Sequence, residues 1–161
     1  RRRGWLDGAR RPISAAMSEP LYNTAILRLA ATIPHQTRLA EPQGTSRKVS
    51  PICGSRVTAD LNLDNEGRVA AFGQEVRACA LGQASASILG AGVLGKSASE
   101  LRATHAALAA FLKGEGSVPA NWPDLEIFRP AQAYKARHPS ILLAFDAAAS
   151  AAEDAAVTAS A

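Results

Sequence analysis

Between Val49 and Ser87 the sequence holds two strand-like runs of alternating character, bracketed by the chain's only two cysteines, and this stretch limits the fold more than any other. In the first run Val57, Ala59, Leu61 and Leu63 alternate with Arg56, Thr58, Asp60 and Asn62, the period of a strand with one buried face. Asp64-Asn65-Glu66-Gly67 has turn chemistry, because Asx side chains bond nearby backbone and glycine tolerates left-handed angles. A second run, Arg68 to Val76, follows, and together the two predict a β-hairpin. Each cysteine lies at the end of an element. Cys53 sits in Ser50-Pro51-Ile52-Cys53-Gly54-Ser55, where Pro51 lacks a backbone donor and Gly54 permits positive φ, so a tight, exposed turn is expected. Cys79 stands where the second strand gives way to Ala80-Leu81-Gly82-Gln83-Ala84-Ser85-Ala86-Ser87, small residues suited to the start of a closely packed helix. A helix N-terminus favours a thiolate through its unpaired N–H groups and dipole, and thiolates bind soft metals.

The 161 residues suffice for one domain with its own core, and the 47% apolar content suits a globular chain, although much of it is alanine. The formal charge of +4 is misleading as a sign of nucleic-acid binding. Residues 1–16 carry five arginines against Asp7 alone, and from Met17 onward 13 basic residues face 13 acidic ones. No nucleic-acid partner is expected. No apolar run approaches the roughly 18 residues of a membrane span, and no secretory signal pattern is present. Two distant cysteines do not make a secreted disulfide framework, so a reducing, cytoplasmic location is expected. Residues 1–16 read as a non-native or disordered extension ahead of a start at Met17, residues 17–149 as the folded domain, and the Ala-rich 150–161 as a flexible tail.

Along the domain, apolar residues at 22, 25, 26 and 29 predict a helix over 21–32, stopped by Ile33-Pro34. Residues 34–48, rich in Pro, Gly, Ser and Thr, read as a long loop. After Cys79 a helix is expected to about residue 94, with Leu81, Ile88, Leu89 and Val93 inward. Its glycines weaken intrinsic propensity by up to about 1 kcal/mol each, so packing must hold it. Ser97-Ala98-Ser99-Glu100 fits a capping box, opening a helix to Lys113 that Gly114 closes, with Leu101, Leu108, Phe111 and Leu112 as its inner face. Leu125 to Phe128 form a short apolar approach to a last helix beginning near Pro139 and burying Ile141, Leu142 and Phe145. Helix, hairpin and three helices make an α+β fold, a small antiparallel sheet packed on one face by helices.

Three motifs in this order carry a resemblance: Cys53-Gly54 leading into the hairpin, Cys79 to Ser87 opening a helix, and Lys135-Ala136-Arg137-His138-Pro139-Ser140 opening the last helix. From about Tyr22 to Ala148 the chain resembles the NifU/IscU-type iron–sulfur cluster assembly scaffolds. The resemblance implies a non-enzymatic scaffold on which a [2Fe–2S] cluster is built, with sulfur from a cysteine desulfurase, and passed to apo-protein acceptors. It implies that Cys53 and Cys79 are the first two cluster ligands and that His138 holds the family's histidine position. Ser55 stands where the family commonly has aspartate, and Pro139 where it has a third cysteine. Proline can neither ligate iron nor accept sulfur.

A [2Fe–2S] cluster takes four protein ligands, mostly thiolates, and this chain offers Cys53, Cys79 and His138. A homodimer sharing one cluster, a small thiol or a partner protein would supply the remainder. Alternatively zinc, which takes mixed sulfur and nitrogen ligands, would occupy the same residues in a degenerate member acting as a zinc-binding or interaction module. Arg129, Lys135 and Arg137, clustered before the last helix, read as a solvated face or as a contact for a desulfurase or chaperone. An enzymatic reading has little to stand on: there is no phosphate loop, no Ser-His-Asp order and no catalytic carboxylate pair.

Overall fold

A computed structural model describes residues 21–160; the expected extension over 1–16 and the start at Met17 lie outside the described residues. The elements run α1 (Thr24–Ala31), β1 (Gly44–Val49), β2 (Arg56–Leu63), β3 (Val69–Arg77), α2 (Ala80–Gly92), α3 (Ala98–Leu112), two 3-10 segments (Pro123–Ala133 and Lys135–Arg137) and α4 (His138–Ser160). The sheet is antiparallel in the order β1-β2-β3. This is the expected α+β arrangement, with one strand more than the hairpin.

The hairpin forms where the alternation places it, and Gly67 at φ +78° lets the chain reverse between β2 and β3. Val57, Ala59 and Leu61 lie opposite Val76, Gln74 and Phe72 on one face, and the helices cover that face. Gln74 reaches across to donate from Nε2 to the carbonyls of Ala86 in α2 and Pro34. Ser97 accepts from the Glu100 amide while the Glu100 carboxylate receives the Ser97 N–H, so the capping box forms as expected. Leu101, Leu108, Phe111 and Leu112 of α3 are buried with Leu81, Ile88, Leu89 and Val93 of the preceding helical region. Trp122 meets the Phe145 ring edge-on at 5.2 Å, and Arg129 is taken up by Glu126 and lies over the Phe111 ring.

Two expectations are corrected. Residues 34–48 are not all loop, because Gly44–Val49 pairs with β2 as an edge strand. Its sequence, Gly-Thr-Ser-Arg-Lys-Val, is polar, as edge strands often are, and lacks the apolar alternation that announces a strand. Residues 150–160 are not a flexible tail, since α4 continues through Ser160 and Ala151, Ala152 and Ala155 are fully buried. Alanine combines high helix propensity with a side chain small enough for a helix to lie close against a sheet. The contact is completed from the other side by Gly44, where any Cβ would collide with the Ala151 carbonyl and the Ala155 methyl. Ion pairs from Arg102 to Asp146 and Glu153, and an Asp154 carboxylate receiving the Thr45 N–H, tie the same turns to α3 and β1.

The opposite face of the sheet is half covered. The segment at 37–39 crosses it, its Thr37 carbonyl lying over Gly73. Asp60, buried on this face, accepts from Arg38 Nε and one Arg38 terminal nitrogen, the Leu39 N–H and the Thr45 hydroxyl. Burial alone would raise its pKa, but these donors hold it below the usual carboxylate range.

The close seating of α4 on β1 predicts that Gly44→Val overpacks this contact and destabilises the fold by about 1–3 kcal/mol. Urea unfolding should show a lower midpoint at unchanged slope; an unaltered midpoint would mean that α4 does not rest on β1.

Candidate functional site

Cys53 lies at the tip of the β1–β2 connection, exposed, in a turn closed by hydrogen bonds from the Gly54 amide to the Ser50 carbonyl and from the Ser50 amide to the Ser55 carbonyl. Gly54 adopts φ +73°, which the Cys-Gly sequence anticipates. Three hydroxyls surround the sulfur. Ser140 Oγ lies 2.8 Å from Cys53 Sγ, Ser55 Oγ 3.1 Å and Ser50 Oγ 3.3 Å, and Ser140 and Ser55 are themselves 3.1 Å apart. All three serines are buried although the cysteine is not. Partial burial pushes the Cys53 thiol up, but hydrogen bonds from Ser140, Ser50 and Ser55 and from the Ser55 backbone outweigh it and bring the pKa down to about 6.

Ser140 belongs to the first turn of α4, 87 residues from Cys53 in sequence. It also faces α2: a Cβ on Gly82 would stand 3.2 Å from the Ser140 carbonyl, and Ser85 Oγ donates to the Ile141 carbonyl at 2.6 Å. The N-terminal turns of α2 and α4 are therefore packed on each other. Cys79 is the residue immediately before α2, half-buried, in extended backbone geometry, and its side chain makes no capping bond. Two helix N-termini thus meet beside the Cys53 turn, and both bias this corner towards negative charge.

His138, two residues from Ser140, has Nε2 2.9 Å from the Ala131 carbonyl. A carbonyl oxygen only accepts, so Nε2 is the donor, and Nδ1 is the ring nitrogen left outside this contact. The structure does not bring Cys53, Cys79 and His138 together as a ready ligand set: among the described residues no three His, Cys, Asp or Glu side chains are grouped to hold a metal ion. The mixed sulfur and nitrogen shell that zinc would take is not assembled here. His35 meets the Phe72 ring, and His105 sits on α3, where burial lowers its pKa. Grooves of about 260 Å³ beside Trp122 and about 550 Å³ between α1 and the 3-10 segment are lined by neither cysteine.

What the sequence did not reveal is the role of the serines: Ser55 is read there only as a departure from the family and Ser140 only as the end of the third motif. Ser50 and Ser55 flank Cys53 within three positions, a local signal. Ser140 reaches the thiol from 87 residues away, and no local pattern gives that contact. Alkylation of Cys53 by iodoacetamide should be half-maximal near pH 6, as the thiolate forms, instead of near the 8.5 of a free thiol. Ser140→Ala, which removes the nearest hydroxyl, should move that midpoint upward; a midpoint near 8.5 in the unaltered chain would show that the hydroxyls do not hold a thiolate.

Residues 21–139 match the family model of the NifU-like N-terminal domain. The crystal structure of the N-terminal part of a nitrogen-fixing NifU-like protein from Brucella abortus is 41% identical, with a TM-score of 0.82 over 88% of this chain and 98% of that one. A candidate iron–sulfur cluster assembly scaffold protein for the SUF system, from Fervidobacterium islandicum, shares the fold at 18% identity and a TM-score of 0.75, over 84% of this chain and 98% of that one. Comparison with curated proteins gives no significant match. With the family model matching residues 21–139 and a 41% identical structure aligned over 88% of the chain, this chain belongs to the NifU-like N-terminal domain family.

Proposed function

We propose that this chain is an iron–sulfur cluster assembly scaffold on which a [2Fe–2S] cluster, its cargo, is built on Cys53 and Cys79 and then transferred to apo-protein acceptors. The observation that carries this reading is the exposed Cys53 thiolate held by Ser140 at the junction of two helix N-termini, with Cys79 at the start of one of them. Family membership supports it, as does the scaffold role stated for the Fervidobacterium protein of the same fold. A cluster with thiolate ligands is anionic, and helix N-termini favour anions.

On this reading the donor set in one chain is incomplete. One chain supplies two cysteines where a cluster takes four ligands, and His138 can add Nδ1. Pro139 contributes no ligand. The remaining positions are filled from outside the chain, by a second copy, a small thiol or the acceptor itself. Sulfur comes from a cysteine desulfurase, and the chain performs no catalysis of its own. A site with solvent access and a partial shell suits a cluster that must leave, whereas structural metal sites are closed.

Anaerobic reconstitution of the chain with ferrous iron, sulfide and competing zinc tests the proposal. The expected result is a sulfide-to-iron charge-transfer absorption that disappears in Cys53→Ser and in Cys79→Ser, with the iron count per chain distinguishing a shared cluster from one held singly. Stoichiometric zinc without such absorption would overturn it.

A further inference from the structure

The sheet face turned away from the helices is closed only in part, and its open part borders the cysteines. The register aligns Val49, Arg56 and Arg77 in one row across the three strands, and Arg47, Thr58 and Glu75 in the next. Val49 and Arg56 flank the Cys53 turn, and Arg77 precedes Cys79 by two residues. Arg56 and Arg77 are direct cross-strand neighbours, a placement in which like charges repel. Among the described residues none of Arg47, Arg56 and Arg77 forms an ion pair, and Glu75 is the only carboxylate in the two rows. The other half of the face is already occupied: there the 37–39 segment crosses the strands, and its Arg38 pairs with Asp60.

We infer that the open half of this face docks an acidic, partly apolar segment of a partner protein, with carboxylates on Arg47, Arg56 and Arg77 and an apolar residue against Val49. Charge complementarity selects the occupant. The three arginines outnumber Glu75, and Val49, 54% exposed, offers an apolar contact in the same row. A nucleic acid fits less well, because Glu75 would repel phosphates and no aromatic side chain stands in either row to stack a base. A small anion would find a flat surface. The surface is defined without reference to what the cysteines bind, so it stands or falls separately from the cluster reading.

The test is an NMR titration of the isotopically labelled full chain, at low salt, with a short synthetic peptide of Glu, Asp and Leu. In parallel run its Gln/Asn counterpart and a thymidine oligonucleotide. Amide shifts should concentrate in 47–58 and 74–79, and Arg56→Gln combined with Arg77→Gln should weaken peptide binding at least about tenfold, while Lys113→Gln leaves it unchanged. Because the arginine row is a repulsive arrangement kept for a partner, Arg56→Gln should also raise the melting midpoint of the free chain. Equal binding of the Gln/Asn peptide, shifts elsewhere, tighter binding of the oligonucleotide, or a lower melting midpoint in Arg56→Gln would each overturn the proposal.

Discussion

The close approach of α4 to the sheet is the constraint on which the rest of the molecule depends. At 23 residues the helix is about 34 Å long, and it is seated near its C-terminal end, where Ala151 and Ala155 meet the bare backbone of Gly44. Its other end carries Ser140. Both contacts lie on one continuous helix, so the contact at Gly44 helps to fix where Ser140 stands relative to the Cys53 turn. The alanines that look like a featureless tail therefore bear on the cysteine site, although they lie far from it in the fold.

A second lock acts at the N-terminal end. Gly82 leaves room for the Ser140 backbone, and Ser85 holds the Ile141 carbonyl, so α2 and α4 start against each other. Because Cys79 immediately precedes α2, this packing also positions the second cysteine. Pro139 lacks an N–H, which the first turn of a helix can spare, and its fixed φ is suited to a helix start. Pro139 thus assists in presenting the hydroxyl that steadies the Cys53 thiolate.

What was legible in the sequence follows from how locally each feature is determined. The hairpin was readable because Val57, Ala59 and Leu61 alternate with polar residues and Gly67 closes the turn. The capping box was readable because Ser97 and Glu100 satisfy each other within one turn. Strand β1 was not, since an edge strand of Gly, Thr, Ser, Arg and Lys is held by its partner's ladder and by α4 instead of by an apolar stripe of its own. The end of α4 was missed because burial there is carried by methyl groups, which a search for large apolar residues passes over. The motifs placed Cys53 in a turn and Cys79 at a helix start, but the Ser140 hydroxyl reaches Cys53 across 87 residues, and no local pattern encodes that. The pairing of Arg56 with Arg77 likewise needs the strand register, which the turn length suggests and only the fold fixes.

The same corner also explains how one site could hold cargo and still release it, on the function proposed above. Three buried hydroxyls stabilise the Cys53 thiolate in the free chain, so the sulfur is ready to bind iron without waiting to lose a proton at neutral pH. On that function the same hydroxyls would receive the sulfur when it leaves a metal and lower the cost of a bare thiolate. A cysteine buried among apolar side chains would have neither property, because its neutral thiol would be favoured both before binding and after release. Reversible ligation is therefore favoured by hydroxyls set around an exposed sulfur, which is the arrangement that Ser50, Ser55 and Ser140 make.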